Sequence, residues 1–216
     1  MQSFNAHTIL IIAVINIPQI LGHGMLMEPV NRLSAWRLDF NTPVNYDDNG
    51  NFCGGWAVQH QINDGNCGPC GDSYSDVQPR SSENGGVYGT GTIVRNYTEG
   101  QAFTAIVRIT ANHRGYFTFA LCPLYYPSDI ETEECFDNYP ILTADGQSTY
   151  FLLRYDNDDY AIDLVLPEGL TCDHCALRWH YTTGNNWGMC ADGRGALGCG
   201  RQENFRTCSD VAIYSR

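Results

Sequence analysis

Apolar and polar residues alternate with period two in several short stretches of the chain. The clearest is residues 102–110 (AFTAIVRIT); the others are 116–121, 150–155, 160–166, 176–181 and 207–214. Such alternation sends one face of a segment to a core and the other to solvent, so each stretch reads as a strand. Clusters of Gly, Asn, Asp and Pro separate them, as turns require. No long segment repeats apolar residues at i, i+3, i+4 and i+7. The pattern predicts an all-β chain: an antiparallel, immunoglobulin- or fibronectin III-like β-sandwich with long disulfide-bonded loops.

Two regions depart from this alternation. Residues 25–83 are rich in Gly, Asn and Asp and hold three of the cysteines. They read as a long irregular excursion between a first strand and the main sandwich, and loops of that length are usually functional. Residues 9–17 (ILIIAVINI) are almost unbroken apolar sequence, as long as the core of a signal peptide and too short to span a bilayer. Gly22 supplies the small residue wanted at a cleavage position. Against this, residues 1–8 carry no Lys or Arg, and Ile20 is large for a position three from the cut. A buried hydrophobic strand or helix is the other reading. The expected organisation is a signal peptide over 1–22 and a single catalytic domain over 23–216, which makes His23 the first mature residue.

Ten cysteines follow the apolar run: Cys53, Cys67, Cys70, Cys122, Cys135, Cys172, Cys175, Cys190, Cys199 and Cys208. An even number in an exported chain argues for five disulfides and an extracellular destination, with connectivity left open. Cys67-Gly-Pro-Cys70 has the spacing of a thioredoxin-type redox pair, which needs a βαβ context that the pattern lacks. The two CxxC pairs, 67/70 and 172/175, could also form a zinc site, which needs unpaired thiolates. Asn96 opens an N-glycosylation sequon with Tyr97 and Thr98. The net charge of −12 argues against nucleic acid and anionic membranes as partners, since both favour a basic face. Paired carboxylates for hydrolysis are easy to imagine among 24 acidic residues, and no pair stands out.

The histidines change the picture most. Cleavage before His23 would give one residue two nitrogen donors, its α-amine and its imidazole. An α-amine with a pKa of about 7.7–8.0 gives up its proton to a metal readily. A second imidazole would complete a three-nitrogen set of the kind that favours Cu(II). His113, in the turn between two strong strands, is the candidate, although from spacing alone an ordinary turn histidine is the slightly better reading. His60, His174 and His180 compete. His180 falls within a strand and suits packing or surface, and His174 reads as loop decoration. Trp56 and Tyr74, in the long loops, are either core aromatics, as most in a sandwich are, or part of an exposed plane.

Taken together, His23-Gly24, MEPVNR at 27–32, NFCGG at 51–55, CGPCGD at 67–72, ANH at 111–113, GNNWG at 184–188 and GCGRQENFRTCSDV at 198–211 resemble the lytic polysaccharide monooxygenases. The resemblance is nearest to those of auxiliary-activity family 15, found in insects and other invertebrates, and runs over essentially all of 23–216. It implies one copper per chain, held by the amine and Nδ1 of His23 and by Nε2 of His113. It also implies an external electron donor, either a small molecule or a protein, and O2 or H2O2 as co-substrate. Ala111 matches a small residue beside the open axial face of the metal. Phe205 matches the other axial position, where some relatives carry tyrosine; a phenyl ring can shield the metal but not bind it, and it equally suits a plain core aromatic. Glu203 matches a Gln or Glu position placed to hydrogen-bond the oxygen co-substrate. The implied activity is oxidative cleavage of insoluble chitin or cellulose by hydrogen removal at C1 or C4, carried out by a secreted monomer. A non-catalytic chitin- or cellulose-binding protein on the same sandwich is the alternative.

Overall fold

The structure is a computed structural model and describes residues 23–216; the expected signal peptide lies outside the described residues. In chain order the strands are β1 (His23–Glu28), β2 (Arg95–Thr98), β3 (Ala102–Ala111), β4 (Tyr116–Pro123), β5 (Pro140–Thr143), β6 (Tyr150–Phe151), β7 (Asp159–Val165), β8 (Cys172–Thr182), β9 (Trp187–Met189), β10 (Gly195–Leu197) and β11 (Asn204–Tyr214), with one short helix, α1 (Glu133–Asn138), before β5. Hydrogen bonding runs β1-β3-β7-β5-β4-β8-β11-β2, with β6 added to β4. The strip curls over at β5, which pairs with β7 on one side and β4 on the other. One layer of the sandwich is therefore β1-β3-β7, and the other is β4-β8-β11-β2. All pairings are antiparallel except β2 on β11, which is parallel.

The expected sandwich is what forms, and its core follows from the alternation. Val107 and Ile109 of β3, Tyr160, Ile162 and Leu164 of β7, Phe117, Phe119 and Leu121 of β4, Leu177, Trp179 and Tyr181 of β8, and Phe205, Val211 and Ile213 of β11 meet between the layers. β4 and β8 are also covered on their outer face. There Ala120, Cys122, Leu124, Phe136 of α1, Ala176, Cys70 and Cys208 form a second apolar cluster. A strand buried on both faces loses strict alternation, which is why 116–121 reads less cleanly than 102–110.

Several elements differ from the sequence expectation. The strand expected over 150–155 stops at Phe151; beyond it Leu153 is 89% exposed and Arg154 turns back to Asp158 and to the Asp159 carbonyl. The helix α1 is too short to show a period. It is marked instead by Thr132, whose hydroxyl accepts from Cys135 N, and by Glu133 and Glu134 in the first turn, as cap chemistry and the helix dipole favour. The irregular region begins only after Glu28, because residues 25–28 belong to β1, and it continues to β2 with only short helical turns at Ala35–Leu38 and Val58–Ile62.

Disulfides and one buried ion cluster hold this long excursion. Cys53 pairs with Cys67, Cys70 with Cys208, Cys122 with Cys135, Cys172 with Cys175 and Cys190 with Cys199, and none of the ten is free. Cys67 and Cys70 thus go to different partners, which removes the thioredoxin reading, and the full pairing removes the zinc reading. Arg32 donates from Nε and Nη2 to the two Asp210 carboxylate oxygens at 2.9 and 2.5 Å and from Nη1 to Ser82 O, and it meets Glu131 at 2.6 Å. His174 lies on β8, not in a loop, and its Nε2 is 2.6 Å from Asp210 Oδ1. Burial alone would raise the Asp210 carboxyl, but the Arg32 charge and the His174 bond outweigh it and hold it below its ordinary range.

Cys70–Cys208 spans 138 residues and ties the excursion to β11. The double substitution Cys70→Ser/Cys208→Ser should cost about 2–5 kcal/mol of stability, checked by chemical denaturation of the oxidised protein. Thiol titration of denatured, unreduced protein should find no reactive cysteine in the parent chain.

Candidate metal centre

The candidate residues converge at the end of the sandwich where β1 begins and β3 stops. His23 stands opposite Ala111 in the β1–β3 register, and His113 follows two residues later. Gly24 allows β1 to lie this close. A Cβ there would come within 2.7 Å of Ile109 Cδ1, 3.0 Å of the Trp179 ring and 3.3 Å of the Arg108 carbonyl. Gly24 N also donates to Asn49 O, and Asn49 Nδ2 donates to Thr110 Oγ1, so the excursion clasps the start of β1 against the end of β3.

The turn carrying His113 is equally constrained. Arg114 and Gly115 have φ of 58° and 86°. A Cβ on Gly115 would collide with the Thr182 carbonyl oxygen, so only glycine fits. His113 is nearly buried. Its backbone N–H donates to the Tyr181 hydroxyl at 2.9 Å, and its carbonyl accepts from Gly184 N at 2.8 Å. Burial first, and the nearby His23 second, push the His113 ring below the ordinary histidine pKa. The ring therefore favours its neutral, lone-pair-bearing form.

β11 supplies the rest. Phe205 is fully buried, with its ring 6.3 Å from His23, 6.0 Å from Phe52 and 5.8 Å from Tyr181. Glu203 is buried beside the turn, with Oε2 3.9 Å from His113 Nδ1, and its carbonyl accepts from Thr183 N. The structure thus gathers His23, Ala111, His113, Glu203 and Phe205 at one place.

The competing histidines are engaged elsewhere. His60 Nε2 is 2.7 Å from Gln202 O, and its ring packs 5.4 Å from Trp56. His180 Nε2 donates to Asn204 Oδ1 at 2.8 Å, and burial, followed by the charges of Arg206 and Arg178, holds it well below its ordinary value. Trp56 donates to Arg201 O, while Tyr74 lies under the Arg80 guanidinium. Asn96, the sequon residue, is exposed on edge strand β2.

With the geometry described, the comparisons bear on it directly. Residues 23–211 match a family described as lytic polysaccharide mono-oxygenase, cellulose-degrading. The chain belongs to the lytic polysaccharide monooxygenases. Among solved structures it is similar to a lytic polysaccharide monooxygenase of family AA15 from Thermobia domestica in the Cu(I) state, at 44% identity and a TM-score of 0.87 over 89% of this chain and 99% of that one; within the monooxygenases it is of the AA15 insect type. A chitin-binding domain from Burkholderia pseudomallei, at 11% identity and a TM-score of 0.45 over 89% of this chain and 100% of that one, is too remote to bear on either fold or function. A search of curated proteins returned no match.

Two features beside these residues were given no role from sequence, although Asn185 and Trp187 fall within the GNNWG block. Asn185 lies 2.9 Å from His113 Nδ1 through its amide nitrogen; the available hint was a polar residue in a Gly/Asn turn just after β8. The β9–β10 hairpin that follows is closed by Cys190–Cys199 and leaves Trp187, Met189 and Leu197 largely exposed. Gln202 fastens its base, accepting from Asn186 N and donating to the carbonyls of Asn186 and Cys199. Three-residue strands are too short for alternation to reveal.

Tyr181→Phe leaves the buried His113 N–H without its acceptor, and should cost about 1–3 kcal/mol of stability in the metal-free protein, read by urea denaturation. His180 predicts a pH effect. Its folded pKa lies below its unfolded one, so below about 6.5 the unfolded chain takes up a proton that the native chain refuses. Stability should therefore fall as pH drops from 7 toward 5, and His180→Gln should flatten that dependence.

Proposed function

We propose that the chain, once cut before His23, is a secreted copper-dependent monooxygenase that oxidatively cleaves β-linked polysaccharide, chitin or cellulose. The observation that supports this most is the meeting of His23 and His113 at the β1–β3 end, in a family match that itself begins at residue 23. Residues 1–22 then serve as the signal peptide and 23–216 as a single catalytic domain, and the Asn96 sequon suits a glycosylated exterior.

The donor set fits copper. Every cysteine is in a disulfide, so no thiolate competes. The His23 ring, the His113 ring and the α-amine released by cleavage make three, a set that suits Cu(II). When bound, copper supplies the one-electron chemistry that lets O2 or H2O2, with an external reductant, oxidise a C–H bond at C1 or C4. The protein fixes the donors and controls access. Phe205 closes one side with an apolar ring that offers no oxygen ligand and excludes water. Ala111 keeps the approach beside His23 uncluttered. Glu203 is placed to hold or pass a proton near the co-substrate. The exposed Trp187 on its disulfide-closed hairpin offers a ring face for stacking on pyranose units at a solid surface, a contact a monomer can make alone.

The test uses protein beginning at His23 and a second version with one extra alanine before it. Joined to alanine, the His23 nitrogen becomes a planar, poorly basic amide. The extended protein should bind copper weakly, give a changed Cu(II) EPR spectrum and release almost no oxidised oligosaccharide from chitin or cellulose. His23→Ala and His113→Ala should each abolish copper binding and oxidation while circular dichroism stays that of the parent. Equal oxidised product from the native and extended proteins would sink the copper reading. Retained adsorption to the polysaccharide with no oxidation by either would favour the non-catalytic binder.

A further inference from the structure

A neutral imidazole has one N–H and one lone pair, and a metal can use only the nitrogen with the lone pair. The partner of His113 Nδ1 therefore decides whether Nε2 is open. That partner is Asn185, at 2.9 Å. Glu203 Oε2 is the other nearby acceptor, but at 3.9 Å it is beyond hydrogen-bond reach. As placed, Asn185 Nδ2 donates, Nδ1 accepts, and the ring proton must sit on Nε2. That tautomer closes Nε2, while Nδ1 is already occupied by Asn185. Rotating the Asn185 amide by half a turn exchanges Nδ2 for Oδ1 at the same position. Nδ1–H then donates to Oδ1, and Nε2 keeps its lone pair.

The ring has little freedom to escape this partner. Its backbone is pinned at N–H by Tyr181 and at C=O by Gly184, and Gly184 directly precedes Asn185. The adjoining Asn186 is held through both backbone groups, with N–H to Gln202 Oε1 and carbonyl to Gln202 Nε2 and Gly198 N. The Asn185 backbone is thus anchored on both sides.

We propose that Asn185 is the positioning residue that sets the His113 tautomer: in the metal-binding form its Oδ1 accepts from Nδ1–H and leaves Nε2 as the ligand. This rests on the copper reading above. It gives an unassigned amide a defined task, like the carbonyl or carboxylate partners that orient metal-binding histidines elsewhere. Asn185→Asp keeps an acceptor in place whatever its rotation. Asn185→Leu is close in size and offers none.

The decisive measurement needs no copper. The 15N shifts of the His113 ring in metal-free protein beginning at His23, taken at neutral pH, report the tautomer. The parent and Asn185→Asp should show predominantly Nδ1–H, and Asn185→Leu a shift toward Nε2–H. Calorimetric copper affinity should fall about 10–100-fold in Asn185→Leu and stay within a few-fold of the parent in Asn185→Asp. A parent ring protonated mainly on Nε2 would overturn the proposal, and so would a tautomer unchanged in Asn185→Leu. Should the leucine variant not fold, the parent tautomer and the aspartate variant still decide. Failure of the parent to bind copper, with Nδ1–H intact, would count against the copper reading and leave the tautomer assignment standing.

Discussion

The arrangement depends on one backbone constraint, the antiparallel pairing of β1 with β3. Because β1 begins at His23 and His23 pairs with the last residue of β3, the start of β1 is carried to the edge where the chain must turn into β4. The turn at 112–115 spends two left-handed residues reversing direction within that space, and His113 sits inside it. On the other layer, β8 and β11 run to the same end, so Tyr181 and Phe205 come up beneath the two histidines. The site is thus a junction of strand ends held from below by the core, and Trp179, packed under Gly24, links the layers there.

How much of this the sequence disclosed varies by element. The strands 102–110 and 160–166 are legible because alternation is a direct consequence of one buried face, whereas 176–181 and 207–214 are buried almost throughout and alternate in residue type alone. The edge strand β2, the four-residue β5 and the hairpin strands are too short to alternate, and their places are set by tertiary pairing. His23 stands out because cleavage chemistry marks it. From spacing alone His113 could not be told from an ordinary turn histidine; the family resemblance singled it out, and the β1–β3 register puts it beside His23. Asn185 was hidden for the same reason: its meaning is a distance across the fold, not a spacing along the chain.

The same contrast applies to the sequence blocks that carried the family resemblance. Arg32 and Asp210 belong to two of these blocks and lie far apart in the chain. In the structure they are nearly dry, with Arg32 gripping Asp210, Glu131 and Ser82 O and with His174 on the far side of Asp210. Removing a partner from a buried cluster of this kind strands a charge, at a cost of about 3–5 kcal/mol. These residues hold the excursion to β11. Their part is to fix the loop from which Asn49 and Phe52 reach the metal-centre residues, which makes them structural supports for the site and not members of it.

The hairpin beside Asn185 has a further consequence. Its two strands have three residues each and would be marginal as an isolated ribbon. Cys190–Cys199 and the three bonds of Gln202 give it a single shape before any encounter. A crystalline solid cannot mould itself around a visitor, so a contact made through a floppy loop would lose affinity to the ordering of that loop at every landing. Under the proposed function, a hairpin whose ordering is complete at folding would meet such a surface as one rigid body meets another, without that loss of affinity.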